Sequence, residues 1–213
     1  MILNEDKALK VAEFLLQIKA VKLNPQLPFT WASGLKSPIY CDNRVTLSYP
    51  NIRTFIRQTF AEAILEQYGK PDVIAGVATG GIAQGALVAQ ELGVPFIYVR
   101  SSAKEHGMGN QVEGYFERGQ RVVVIEDLIS TGGSSLKAVE ALRDAELDVK
   151  GLLAIFTYGF HLATENFNNA KCPFLTLSNY DILLKKALDN NTISESDLNT
   201  LEEWRKDPNN WNK

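Results

Sequence analysis

The sequence predicts an α/β protein: a central, mostly parallel sheet flanked by helices. Three observations carry that expectation. From Pro71 onward, short apolar runs alternate with segments of helical period. Glycines and small-residue turns separate the two. Each strand candidate is followed by a helix candidate before the next strand, the order that a parallel sheet requires.

Along the chain, Val11, Phe14, Leu15 and Ile18 recur at helical spacing among lysines and glutamates. About Asn4 to Ala20 therefore reads as an amphipathic helix, ended by Asn24-Pro25. Phe29 to Leu47 is rich in Thr, Ser, Gly and Pro with interleaved aromatics, which predicts short strands and a loop. Pro50 opens a second helix running to about Tyr68. Asp72–Val77 reads as a strand, Ile82–Leu92 as a helix ended by Gly93, and Val94–Val99 as the next strand. Residues 101–114 carry few apolar side chains and several glycines, so they read as a mobile loop. Arg121–Glu126 is a β-branched strand, 128–133 a small-residue turn, Ser134–Ala145 a helix and Val149–Thr157 a strand. From about Ser178 the tail reads as polar and helical. Ser194 and Asp197 form a candidate capping box there, and DPNNWNK a frayed end.

Composition bounds the function classes. The chain has 213 residues, 45% hydrophobic and 22% charged, enough for a real core. The length fits one domain of about 150–200 residues with small appendages. Its 22 basic and 25 acidic residues give a net charge of −3, without the basic excess of a nucleic-acid binder. Cys41 and Cys172 show no metal-ligand spacing and read as free thiols of a reducing compartment. No signal peptide and no span of about 18 apolar residues is visible, so a soluble cytoplasmic protein is expected, with no membrane partner.

The segment that carries chemistry is RVVVIEDLISTGGSS, residues 121–135. A buried strand ends in two carboxylates, Glu126 and Asp127. Ser130, Thr131, Gly132, Gly133 and Ser134 follow, and then a helix begins. A small-residue loop leading into a helix N-terminus offers backbone N–H groups and the helix dipole to a phosphate. It also stands at the carboxyl end of a strand, where ligands of open α/β sheets bind. Two acids beside a phosphate cradle make sense if the ligand also presents hydroxyls or brings a divalent cation. Neighbours on a strand face opposite ways, so both acids meet one ligand only if the chain is already turning. A phosphorylated ribose with Mg²⁺ meets these demands. The plainer alternative is an acidic helix start with capping serines, but the ordered set of features favours a ligand. The Lys of a Walker A loop is absent.

VVVIEDLISTGGSS resembles the binding motif for 5-phosphoribosyl-1-diphosphate (PRPP) in the type I phosphoribosyltransferases. FTWASGLKSPIYCDNR, residues 29–44, is similar to the base-binding hood of the orotate branch, and RSSAKEHGMGNQVEG, residues 100–114, to its catalytic loop. The resemblance covers nearly the whole chain. It implies a type I phosphoribosyltransferase fold with a small N-terminal hood. Residues 1–213 would then be one domain, with 1–50 contributing the hood and 178–213 a C-terminal helical extension.

The resemblance also implies roles. Glu126 and Asp127 would bind the ribose hydroxyls, and the stretch from Leu128 and Ile129 through Ser134 would wrap the PRPP phosphate. Ser130, Lys36 and Tyr40 would contact orotate. Ala78, Thr79 and Gly80 match the pyrophosphate loop, which in the family contains a non-proline cis peptide. Arg100, Lys104 and His106 match residues that clamp the pyrophosphate, and Lys104, His106 and Asp127 would be the catalytic set. The implied activity is orotate phosphoribosyl transfer in de novo pyrimidine (UMP) biosynthesis. Mg²⁺ would be held mainly by PRPP, not by a protein metal site. The implied assembly is a homodimer sharing active sites through the loop. A purine phosphoribosyltransferase and a PRPP-sensing, nucleic-acid-binding regulator are the alternatives. The acidic balance counts against the regulator. Other branches carry Lys where this chain has Ala32 and Ser101, an aromatic at Cys41 and Arg at Tyr158, so three cations are missing. Trp31 and Phe29 suit core packing as well as the hood.

Overall fold

A computed structural model of the chain describes residues 2, 4–31, 34–102 and 111–211. Helix α1, Glu5–Gln17, starts at Asn4, whose side chain accepts from the Lys7 N–H, and carries Glu5 and Asp6 in its first turn. Cap and charges both suit a helix N-terminus. It buries Ala8, Val11, Ala12 and Leu15. The helix stops at Gln17, earlier than Asn24-Pro25, because Lys19 takes a positive φ of 56°. The chain then enters strand β1, Val21–Leu23. Strands β2, Phe29–Thr30, and β3, Lys36–Ser37, pair with each other, and β4, Ile39–Cys41, pairs antiparallel with β1. A 3-10 segment, Asn43–Ser48, leads into α2, Pro50–Tyr68, with proline at its start as expected.

The main sheet follows. Its strands are β5 (Val73–Val77), β6 (Phe96–Val99), β7 (Val112–Glu113), β8 (Arg121–Ile129), β9 (Asp148–Thr157) and β10 (Phe174–Asn179). Their spatial order is β10-β9-β8-β5-β6-β7, parallel throughout except for the β6–β7 edge. Helices α3 (Gly80–Leu92), α4 (Gly133–Asp144) and α5 (His161–Asn169) connect successive strands. The alternation along β8 divides the core in two. Val123 and Ile125 pack with α1, α2 and the C-terminal helices, whereas Val122 and Val124 pack with α4 and α5. That is the period of two expected of a strand buried on both faces.

Three expectations need correction. The strand ending at Glu126 continues to Ile129, because Leu128 and Ile129 still pair with Phe156 and Thr157 of β9. The small-residue turn is thereby confined to 130–132. The sequence reading also assigns nothing between 158 and 177, where the structure has α5 and β10. Finally, the tail is not merely polar. Helix α6, Tyr180–Asp189, buries Tyr180, Leu183, Leu184 and Ala187. Helix α7, Glu195–Lys206, opens on the expected Ser194/Asp197 capping box and buries Leu201 and Trp204. Trp211, placed in the frayed end by sequence, packs against the same core.

Trp204 is completely buried. Its ring lies 5.7 Å from Trp31, 5.8 Å from Tyr158, 5.5 Å from Phe160 and 5.8 Å from Tyr180. Aromatic clusters of this kind combine large buried area with favourable edge contacts. Trp31 is thereby assigned to packing, with its indole N–H donating to the Ile39 carbonyl at 3.1 Å. Trp204→Ala removes the hub of this cluster, and urea titration is expected to show a loss of about 3–5 kcal/mol. A loss below about 1 kcal/mol would show that the C-terminal helix is dispensable to the fold.

Candidate active site

The site is built at the carboxyl end of β8. Because the strand is still extended at 126 and 127, the two acidic side chains start from opposite faces of it. Glu126 is 5% exposed and turns under α4. One of its oxygens accepts from the Asp127 N–H at 2.9 Å, the other from the Ser135 hydroxyl at 3.0 Å. Asp127 is half-buried on the other face, against Gly80, where a Cβ would overlap its carboxylate. Only a glycine allows this approach of the 78–80 loop to Asp127. The two side chains start from opposite faces, yet their carboxyls interact by charge and by a side-chain hydrogen bond. Burial first, and the Asp127 charge second, push the Glu126 carboxyl well above the usual range.

A polar chain that the sequence reading missed fixes Asp127 in place. The Gln84 side-chain amide donates to the Thr46 hydroxyl at 3.0 Å, which donates to the Asn43 carbonyl at 2.6 Å. The Asn43 side chain in turn donates to the Asp127 carbonyl at 2.6 Å. Asn43, Thr46 and Gln84 are all buried. Gln84, a polar side chain within the apolar helix GGIAQGALVA, was the available signal; Asn43 and Thr46 stand in a polar stretch that gave none.

The loop after β8 is open to a ligand. Gly132 takes φ 82° at the start of α4, and no side chain caps that helix. The N–H groups of its first turn are thus available to an anion. Thr131, Gly133 and Ser134 are exposed, whereas Ile129 is fully buried and Leu128 packs against the core. Ile129 therefore contributes no side chain to the site. The Ala78–Thr79 peptide is cis, as the resemblance implied, and Thr79 is exposed.

Beside this loop lies a cavity of about 320 Å³ lined by Ala78, Arg100, Ser101, Gly133, Ser134 and Lys137. Arg100 is held by a reciprocal pair with Gln111, its N–H on the Gln111 carbonyl at 2.9 Å and the Gln111 amide on its carbonyl at 2.8 Å. Its guanidinium is 3.7 Å from the Glu113 carboxylate. Lys137 was missed by sequence reasoning. It stands four residues after Gly133, on the same helical face, and side chains lean toward the helix N-terminus. A cation there opposes the helix dipole unless an anion joins it. Lys104 and His106 lie outside the described residues.

The hood residues divide. Lys36 donates to the Thr30 hydroxyl at 2.8 Å within the β2–β3 pair, and Arg44 is engaged by Asp42 at 2.7 Å. Tyr40 is 40% exposed, its ring 5.8 Å from Phe29. Ser130 faces a second cavity, of about 660 Å³, whose walls include Trp31, Leu35, Thr131, Phe160 and Arg205. Cys41, half-buried, donates its thiol to Asn43 at 3.3 Å, and neither cysteine forms a disulfide.

Residues 47–162 match the phosphoribosyl transferase domain. Over 200 residues the chain is 58% identical to an orotate phosphoribosyltransferase of Bacteroides thetaiotaomicron, covering 94% of each. The chain belongs to the orotate phosphoribosyltransferase family. Among solved structures it is similar to the orotate phosphoribosyltransferase of Aeropyrum pernix, with 30% identity and a TM-score of 0.74 over 83% of this chain and 97% of that one. It is also similar to the UMP synthase of Leishmania donovani, with 27% identity and a TM-score of 0.78 over 93% of this chain and 42% of that longer one.

The buried Glu126 makes a pH prediction. A carboxyl whose folded pKa is raised stabilises the fold fully below its unfolded value, about 4.3, and that contribution is lost as pH rises through the folded value. Glu126→Gln keeps an acceptor for the Asp127 N–H and offers Ser135 a donor. Thermal unfolding of the ligand-free protein should show the variant gaining on the native chain as pH rises from about 4 to 8. A constant difference across that range would contradict the assignment.

Proposed function

We propose that the protein transfers the 5-phosphoribosyl group of PRPP to orotate, giving orotidine 5′-monophosphate and pyrophosphate in de novo pyrimidine biosynthesis. The observation that carries this reading is the uncapped β8–α4 loop with Asp127 packed against the Gly80 loop, in a chain 58% identical to an orotate phosphoribosyltransferase. That identity sets aside a purine base and a regulatory role. We read residues 1–213 as a single domain acting in the cytoplasm. No helix among the described residues is long and apolar enough to cross a membrane.

The 5′-phosphate sits on the N–H groups at the start of α4 and on the Thr131 and Ser134 hydroxyls. A ribose hydroxyl donates to Asp127. Glu126, 5% exposed and accepting from the Ser135 hydroxyl and the Asp127 N–H, braces the cradle from beneath and holds the Asp127 backbone. The pyrophosphate lies between the 78–80 loop and the Arg100 guanidinium. In the reaction an orotate ring nitrogen forms a bond to ribose C1 while the bond from C1 to the pyrophosphate oxygen breaks, its electron pair leaving with pyrophosphate. Cations already in place at Arg100 and Lys137 stabilise that departing charge without reorganisation. Lys104 and His106 add to them from the loop of the partner subunit in a homodimer, and loop closure excludes water. Asp127 would be the residue to help hold a Mg²⁺ ion brought in with PRPP, and the ion would supply charge neutralisation at the leaving group. The hard carboxylate oxygens of Asp127 suit a cation that keeps most of its ligands from phosphate and water.

Ultraviolet absorbance should show orotate consumed only with both PRPP and Mg²⁺ present. Turnover of adenine but not orotate would refute the reading. Lys104→Ala and Asp127→Ala are each expected to be nearly inactive. When mixed under subunit exchange they should regain activity, because one site of each hybrid dimer carries neither change. Confirmed exchange without recovery would rule out a loop acting across the dimer.

Gly80→Ala tests the close approach at Asp127. Its Cβ meets a movable carboxylate, so the fold should hold to within about 1 kcal/mol while PRPP binding weakens at least about ten-fold by calorimetry. Unchanged PRPP affinity would remove Asp127 from the ligand site.

A further inference from the structure

The 660 Å³ cavity is not explained by phosphate binding. Ser130 and Thr131 of the phosphate loop line it. Trp31 and Phe160 line it with aromatic rings, and Arg205 and Lys206 of α7 bring positive charge to its lining. No aspartate or glutamate is among its described lining residues. Such a space suits a flat aromatic anion whose reacting edge faces the phosphate loop.

Position 158 supplies no charge to it. Tyr158 is 2% exposed among Trp31, Phe156, Phe160 and Trp204, and burial holds its hydroxyl in the neutral form. The next residue, Gly159, instead meets a cation from elsewhere in the chain. A Cβ on Gly159 would lie 3.8 Å from an Arg205 guanidinium nitrogen. Arg205 is held on two sides, by Asp181 at 2.5 Å and over the Tyr180 ring at 5.3 Å. Its side chain is 27% exposed, whereas Asp181 is 66% exposed, so solvent weakens the pair from the aspartate side. A guanidinium carries five N–H donors in a fixed fork. One edge engages Asp181, and donors remain for a second carboxylate.

We propose that Arg205, supplied by the C-terminal helix, recognises the carboxylate of the pyrimidine substrate, with Lys206 adding charge beside it. This rests on the functional reading above and adds a specificity residue to it. Arg205 distinguishes a carboxylated pyrimidine from one lacking the carboxylate through a charge-assisted, planar contact. A lysine at 205 keeps the charge and loses the fork.

Steady-state kinetics on the full chain tests the proposal, with orotate varied at saturating PRPP and the reverse. Arg205→Gln should raise the KM for orotate at least about ten-fold and leave the KM for PRPP within about two-fold. Arg205→Lys should fall between the native chain and Arg205→Gln. Lys206 is exposed and outside the core, so Lys206→Gln should fold normally and raise only the orotate KM, by about two- to five-fold. An orotate KM unchanged in Arg205→Gln overturns the proposal. A parallel rise in both KM values, not relieved by lysine, overturns it too, since that is the mark of a loosened fold. If the native chain does not consume orotate at all, the functional reading itself falls, which the same assay shows before any variant is made.

Discussion

The ligand-facing edge depends on how the last residues of β8 are held. Glu126 is clamped under α4 by the Ser135 hydroxyl and the Asp127 N–H. On the opposite face Asn43 grips the Asp127 carbonyl at 2.6 Å. These contacts fix one backbone unit from two layers of the protein. The phosphate loop is thereby set relative to the sheet, and the small N-terminal strands are set relative to Asp127. Burying an acid here is costly, and its raised pKa is the sign of that cost. The return is a ligand carboxylate whose backbone is already ordered before anything binds.

Much of this was legible in the sequence. The strand, acids, glycines and helix of 121–135 pointed to a phosphate cradle because local chemistry and strand–helix order agree there. Pro50 and Gly93 marked helix ends correctly for the same local reason. The misses are non-local. β8 outlasts its apolar run because β9 continues to pair with it through Thr157. α5 and β10 are short and are held by packing more than by pattern. The Gln84–Thr46–Asn43 chain joins segments far apart in sequence, and Lys137 acquires meaning only once Arg100 is seen across the same cavity.

The charge distribution follows a similar logic. A chain of net charge −3 is read as binding two anions, so its usable cations must be gathered locally. Lys36, which the resemblance assigns to orotate, is engaged by Thr30, and Arg44 by Asp42. The cations that line the two cavities beside the phosphate loop are Arg100 and Lys137 in one and Arg205 and Lys206 in the other. Arg100 and Lys137 come from separate elements, and Arg205 and Lys206 from the last turn of α7, so closing the fold also assembles the positive charge.

The aromatic cage around Tyr158 ties that position to a helix far away in sequence. A charged side chain there would be buried among Trp31, Phe160 and Trp204. A smaller one would leave a void against Trp204. What position 158 tolerates is therefore set by helix α7.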